Sequence, residues 1–349
     1  MVYSSHQMWE VRALIGGKRR IAAWLLCALM LLGSCLPHAF ADGTLEESLT
    51  LCPFVMQRDQ RFKKTDYYYL AKRFSKRGCG PASIANALGA VLGLQDADEI
   101  DSLLLELMKL LPYNHLPKST PVDVTHIDRL ETADAETYPT IAKLRTTFNG
   151  LWICRTDFMN APEIMLALAP AAASGKNVLF ATRFRTATQW ADLVGLCERL
   201  QARGFGSARV TIAFLSTGTE STSAPFRLED GHYISFCLEV EEFLQRGVLY
   251  LLESNPRALP NETLDQVNYY SYYPLGRDKK LITDVFQLTR VKDTLVKLEP
   301  TPAQQLLFAQ AATAEDLRTA RTDWLSRLVT FGTGIVMVNL QQNAEPAAP

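Results

Sequence analysis

The sequence lacks a surplus of either charge: 36 lysines and arginines stand against 37 aspartates and glutamates, a formal net charge of −1 over 349 residues. A polyanion is held by excess basic side chains, so nucleic acid is not an expected partner, and a membrane enters only through a signal or anchor segment. The seven cysteines include no Cys-x-x-Cys pair and no Cys/His cluster. A structural zinc site is therefore not expected, and no cofactor or metal is expected. No period of 20–50 residues recurs, which excludes a solenoid.

What is present is apolar material: 48% of the residues, enough for a substantial core and too much for a disordered chain. One apolar run belongs to no core. Lys18, Arg19 and Arg20 precede Ile21–Leu32, which is followed by Ala39-Phe40-Ala41 and then Asp42. A positive stretch, an apolar stretch and a small-x-small site in that order form the pattern of a secretory signal over residues 1–41. Two alternatives stay open. The run could remain as an anchor, though it is short of the ~20 residues a span requires. Leu32-Gly33-Ser34-Cys35 also resembles a bacterial lipobox, which would make the chain a lipoprotein at Cys35. The expected location is the periplasm or the exterior.

Cleavage after Ala41 leaves Cys52, Cys79, Cys154, Cys197 and Cys237. Five is odd, so at least one thiol has no partner within the monomer, and catalysis is one use for it.

Periodicity predicts a helix opening at Cys79, with Pro81 in its first turn, Ile84, Leu88, Val91 and Leu92 at helical spacing, and Gly93 as its stop. Further helices are predicted over Asp98–Leu111, Pro162–Ala173 and Thr188–Arg203, and one or two over Pro302–Leu328. Strands are predicted over Asn177–Thr182, Ala208–Leu215, His232–Val240, Val248–Glu253 and Phe331–Leu340. Glu241–Gly247 reads as the connection of a hairpin, Asn255–Lys280 as a long loop, 113–150 as a polar stretch without pattern, and 341–349 as a loose tail. The class is α+β.

A thiolate nucleophile needs a lowered pKa, and a helix N-terminus supplies partial positive charge and free N–H groups. Cys79 has that setting, with glycine on both sides so that a substrate can approach. Its own N–H can serve a developing oxyanion. A buried, inert cysteine is the competing reading.

Cys79-Gly80-Pro81-Ala82-Ser83, opening an apolar helix, resembles the nucleophile motif of the papain-like cysteine peptidase superfamily, nearest to the C39-type peptidases and the phytochelatin synthases. The resemblance extends to Gly231-His232-Tyr233-Ile234-Ser235-Phe236 and Leu249-Tyr250-Leu251-Leu252-Glu253-Ser254-Asn255-Pro256. It implies a papain-like α+β domain over 42–340, with the nucleophile helix packed against an antiparallel β-sheet. It further implies a catalytic Cys79, His232 as base and Asn255 orienting the imidazole, with Glu253 in reserve because both lie at the end of one strand. The family's side-chain amide ahead of the cysteine is replaced by Arg73, a candidate contributor to the oxyanion site. His115 and His126 lie in the polar stretch and read as surface residues.

The expected activity is hydrolysis or transfer at a peptide, isopeptide or small amide bond through an acyl-enzyme on Cys79. A phytochelatin-synthase-like γ-glutamylcysteine transferase and an inactive papain-like binding module, with Tyr269–Tyr273 as contact surface, are the alternatives.

Overall fold

A computed structural model describes residues 44–56, 78–111, 124–147, 152–154, 177–183, 188–216, 233–252, 280–282, 284–292, 295–328 and 331–340. The chain divides into a unit ending at Gly43 and a compact unit, Thr44–Pro349, to which all of these belong. The predicted signal segment, the helix over Pro162–Ala173, the tail over 341–349 and Tyr269–Tyr273 lie outside the described residues.

Nine strands are described: β1 (Trp152–Cys154), β2 (Asn177–Arg183), β3 (Arg209–Ser216), β4 (Tyr233–Glu239), β5 (Leu249–Leu252), β6 (Lys280–Ile282), β7 (Phe286–Lys292), β8 (Leu295–Pro300) and β9 (Phe331–Asn339). They form one sheet in the order β1-β2-β9-β3-β4-β5-β8-β7-β6. Every neighbouring pair is antiparallel except β1 with β2. The mixed α+β class is as predicted.

Helices cover both faces. On one lie α1 (Leu45–Leu51), α2 (Cys79–Leu92), α3 (Ala97–Leu110) and, beyond a 3₁₀ turn at Val124–Asp128, α4 (Arg129–Thr132) and α5 (Pro139–Thr147). On the other lie α6 (Thr188–Ala202), α7 (Val240–Arg246), α8 (Pro302–Ala309) and α9 (Ala314–Ser326). A sheet covered on both sides needs strands that are apolar throughout rather than alternating. β4 shows this, since Tyr233, Ser235 and Cys237 face the α2 layer while Ile234, Phe236 and Leu238 enter the α6–α9 core.

The aromatic side chains concentrate on the α6–α9 side. Trp190, Phe214, Phe236, Phe243, Phe286 and Trp324 are fully buried there, with Phe286 and Trp324 at 5.0 Å between ring centroids. Each such burial stabilises by about 1.5–3 kcal/mol. Arg318 ties α9 to α6 by donating from Nε and Nη2 to Glu198 Oε2, at 2.9 and 2.6 Å. Arg321 donates to the carbonyl of Leu244.

Several boundaries fall within a residue or two of the predicted ones. The helix expected from Cys79 runs to Leu92 and stops at Gly93, whose φ of 66° is the left-handed conformation that glycine adopts without strain. One connection differs. Glu241–Gly247 is not a hairpin turn but lies within α7 and its cap, because Val240 and Phe243 at helical spacing bury into the core and Gly247 takes φ 71°. The polar stretch 113–150 holds the 3₁₀ turn, α4 and α5, whose start is capped by a carboxylate distant in sequence. Neither α1 nor β1, β6, β7 and β8 had a predicted counterpart.

Candidate active site

Cys79 is the first residue of α2, with Gly78 as N-cap. Gly78 has no side chain with which to cap this end, and the first intrahelical bond runs from Ala82 N to Gly78 O at 3.0 Å. Proline at 81 has no N–H, so the end carries the amides of Cys79 and Gly80 at the positive pole of the helix. The Cys79 side chain is 5% exposed and packs in the same cluster as Tyr233, Ala213 and Ile335.

The helix lies along β4 in a fixed direction. Near its start, Ser83 Oγ donates to the carbonyl of Tyr233 at 2.9 Å, and Ser235 Oγ donates to the carbonyl of Ser83 at 3.1 Å. At its other end, Asn339 Nδ2 donates to the carbonyl of Val91 at 2.9 Å. Asn339 pairs with Arg209, which pairs with Glu239 at the end of β4. The Cys79 end of α2 therefore lies at the beginning of β4 and the Leu92 end at its close.

β5 returns to the same end of the sheet, because Leu252, its last residue, pairs with Ser235. The beginning of β4, the end of β5 and the start of α2 are thus neighbours. His232 immediately precedes β4, and Glu253 and Asn255 follow β5; all three, with Arg73 and His115, lie outside the described residues. His126 is described and is exposed on the 3₁₀ turn. The two hydroxyls that join α2 to β4 had no predicted role, although Ser83 lies four residues, one helical turn, after Cys79.

Burial disfavours the thiolate form of Cys52, Cys197 and Cys237. Burial, with Cys237 nearby, pushes Cys52 up to about 12; burial pushes Cys237 up to about 12 and Cys197 higher. Among the described cysteines, Cys52, Cys79, Cys197 and Cys237, none is in a disulfide. Cys154 lies in β1. Among the described residues no group of three or more His, Cys, Asp or Glu side chains is placed to hold a metal ion.

No family model matches the chain, and neither a curated protein nor a solved structure matches it.

Proposed function

We propose that this chain is an exported papain-like thiol hydrolase or acyl-transferase that acts on an amide bond. The observation that carries the reading is the lie of α2 along β4: the element bearing Cys79 starts where the strand preceded by His232 begins. In the proposed reaction His232 takes the thiol proton and the thiolate adds to the amide carbonyl, with the Cys79 N–H facing the oxyanion. The protonated imidazole then gives its proton to the departing amine, leaving a thioester. Water, or an acceptor amine in transfer, releases the acyl group and restores the thiol. Asn255, or Glu253 in its place, would accept the other ring N–H and fix the tautomer. Arg73 would add positive charge near the oxyanion.

The reading makes one demand on the backbone. Tyr233 and Ser235 face α2, so strict alternation would carry position 232 to the opposite face. His232 reaches the thiol only if the chain leaves the pleat just before Tyr233, and Gly231 supplies the freedom for that. The burial of Cys79 together with this alternation favours a second reading, a papain-like domain that binds without catalysing.

Iodoacetamide labelling separates the two. Catalysis predicts that Cys79 reacts at neutral pH at least ~100-fold faster than Cys52, Cys197 and Cys237, and that His232→Ala removes the advantage. Equal labelling of all thiols in the native protein leaves only the binding reading. Incubation with glutathione, scored for released glycine, tests the γ-glutamyl transfer variant.

Export is proposed on the residues before Asp42. The mass of the mature N-terminus distinguishes a free Asp42 from a lipidated Cys35.

A further inference from the structure

We infer that Ser83 and Ser235 are positioning residues for the Cys79 thiol, an assignment that rests on the catalytic reading above. Two of the small residues of α2 meet the sheet: Ser83 is bonded to β4 and Ala90 packs with Cys237 and Tyr250, both being fully buried. Small side chains permit close approach, but they interlock weakly, and dispersion contacts between smooth surfaces change little when a helix slides or rotates. Something directional must hold the helix in register. Near the thiol that role falls to two hydroxyls, each fully buried and each bonded across the interface.

Ser83 Oγ donates to Tyr233 O at 2.9 Å, fixing the first turns of α2 to the residue that follows His232. Ser235 Oγ lies 3.1 Å from Ser83 O and 3.5 Å from Leu252 O. Leu252 ends the strand that Glu253 and Asn255 follow. One pair of hydroxyls therefore touches all three elements that carry the proposed catalytic groups. A carbonyl has two lone pairs, so Ser83 O can accept from Ser235 while still serving the helix. Loss of either hydroxyl leaves packing to set the separation of thiol and imidazole, and a misplacement of about 1 Å in such a pair costs on the order of 100-fold in rate.

Asn339 is the internal control, because it makes an equally buried bond to α2 at the far end, at Val91 O. The experiment measures the rate of Cys79 alkylation by iodoacetamide against pH, together with urea unfolding, in the full mature chain and in Ser83→Ala, Ser235→Ala, Ser235→Thr and Asn339→Ala. The expected result is a loss of at least ~10-fold at pH 6 in both serine-to-alanine variants, with the rate–pH midpoint moved toward the ordinary thiol range near 8.5. Ser235→Thr, which keeps a hydroxyl and suits a strand, should restore the native profile. Asn339→Ala should lower stability and leave the profile where it was.

Alanine variants that match the native rate and midpoint overturn the assignment, and the catalytic reading then stands if His232→Ala still abolishes the advantage. An Asn339→Ala profile shifted as far as theirs overturns it too, because loosening of the helix would then suffice. A native chain with no fast thiol removes both readings. If the alanine variants do not fold, Ser235→Cys keeps the volume with a weak donor and is read in the same way, Cys237 and position 235 being resolved from Cys79 by peptide mapping.

Discussion

Asn86 holds both polar groups of Val55: its Oδ1 accepts from Val55 N at 2.8 Å and its Nδ2 donates to Val55 O at 3.0 Å. Both residues are buried, and they join α2 to the segment that descends from α1. Replacing Asn86 by alanine strands an amide and a carbonyl away from water. At about 1–3 kcal/mol for each unsatisfied group, Asn86→Ala is expected to lower stability by about 2–6 kcal/mol in urea unfolding. A loss below about 0.5 kcal/mol would show that water replaces the side chain.

Gly334 and Gly195 are expected to respond to alanine with opposite signs. On β9, a Cβ at Gly334 would lie 2.5 Å from Phe214 Cβ, 2.7 Å from Ala213 O and 2.9 Å from Phe214 Cα. Those are atoms of the paired strand β3, which must move away. Gly334→Ala should cost about 3 kcal/mol and lower the melting temperature. Within α6, a Cβ at Gly195 meets nothing nearer than Arg199 Nη1 at 3.6 Å. Gly195→Ala should stabilise by up to about 1 kcal/mol, the difference in helix propensity.

Glu106 on α3 caps α5 from outside. Its two carboxylate oxygens accept from Thr140 N and Ile141 N, both at 2.8 Å, in the first turn of that helix. Glu106→Ala should cost about 1–2 kcal/mol, as loss of a cap does. Because the bonds tie two helices together, amide exchange should rise across residues 139–147 in that variant and stay unchanged in α6.

Alkaline pH should unfold the protein earlier than an exposed-thiol protein of its size. Burial raises Cys52 and Cys237 to about 12 and pushes Cys197 up as well, whereas an unfolded thiol titrates near 8.5. Between those limits the folded chain holds more protons than the unfolded one, so stability falls as pH rises. It is fully present below about pH 8.5 and is lost through about pH 12, at up to about 1.4 kcal/mol per pH unit per thiol. Cys52→Ala should reduce the slope of stability against pH over that window by close to one proton. An unchanged slope would place Cys52 in contact with solvent.

Local signals in the sequence were strong where the physics is local. Pro81 and Gly93 bracket α2 because a missing N–H and a left-handed φ act within a turn. By sequence Val240 closes a strand and Phe243 falls in a hairpin connection, and the competing helical period prevails because both bury on one side of α7. The segment 280–300 gave too little alternation to be read as strands: β6 has three residues, and in β7 only Phe286 and Leu288 are buried. Cys79 was legible as a helix-start thiol. Ser83 and Ser235 were not legible as partners, since a hydrogen bond between residues 152 apart leaves no pattern in either neighbourhood.

Composition, spacing and turn chemistry by themselves determined the α+β class, the helix at Cys79 and the odd count of thiols, because each depends on residues within a few positions of one another. The tertiary structure decided the order of the strands. β9, last in the chain, inserts between β2 and β3, and both faces of the sheet are covered. It also decided which end of α2 meets which end of β4. Those facts follow from burying two apolar faces at once and from hydrogen bonds between distant segments, and neither is expressed in any short stretch of sequence.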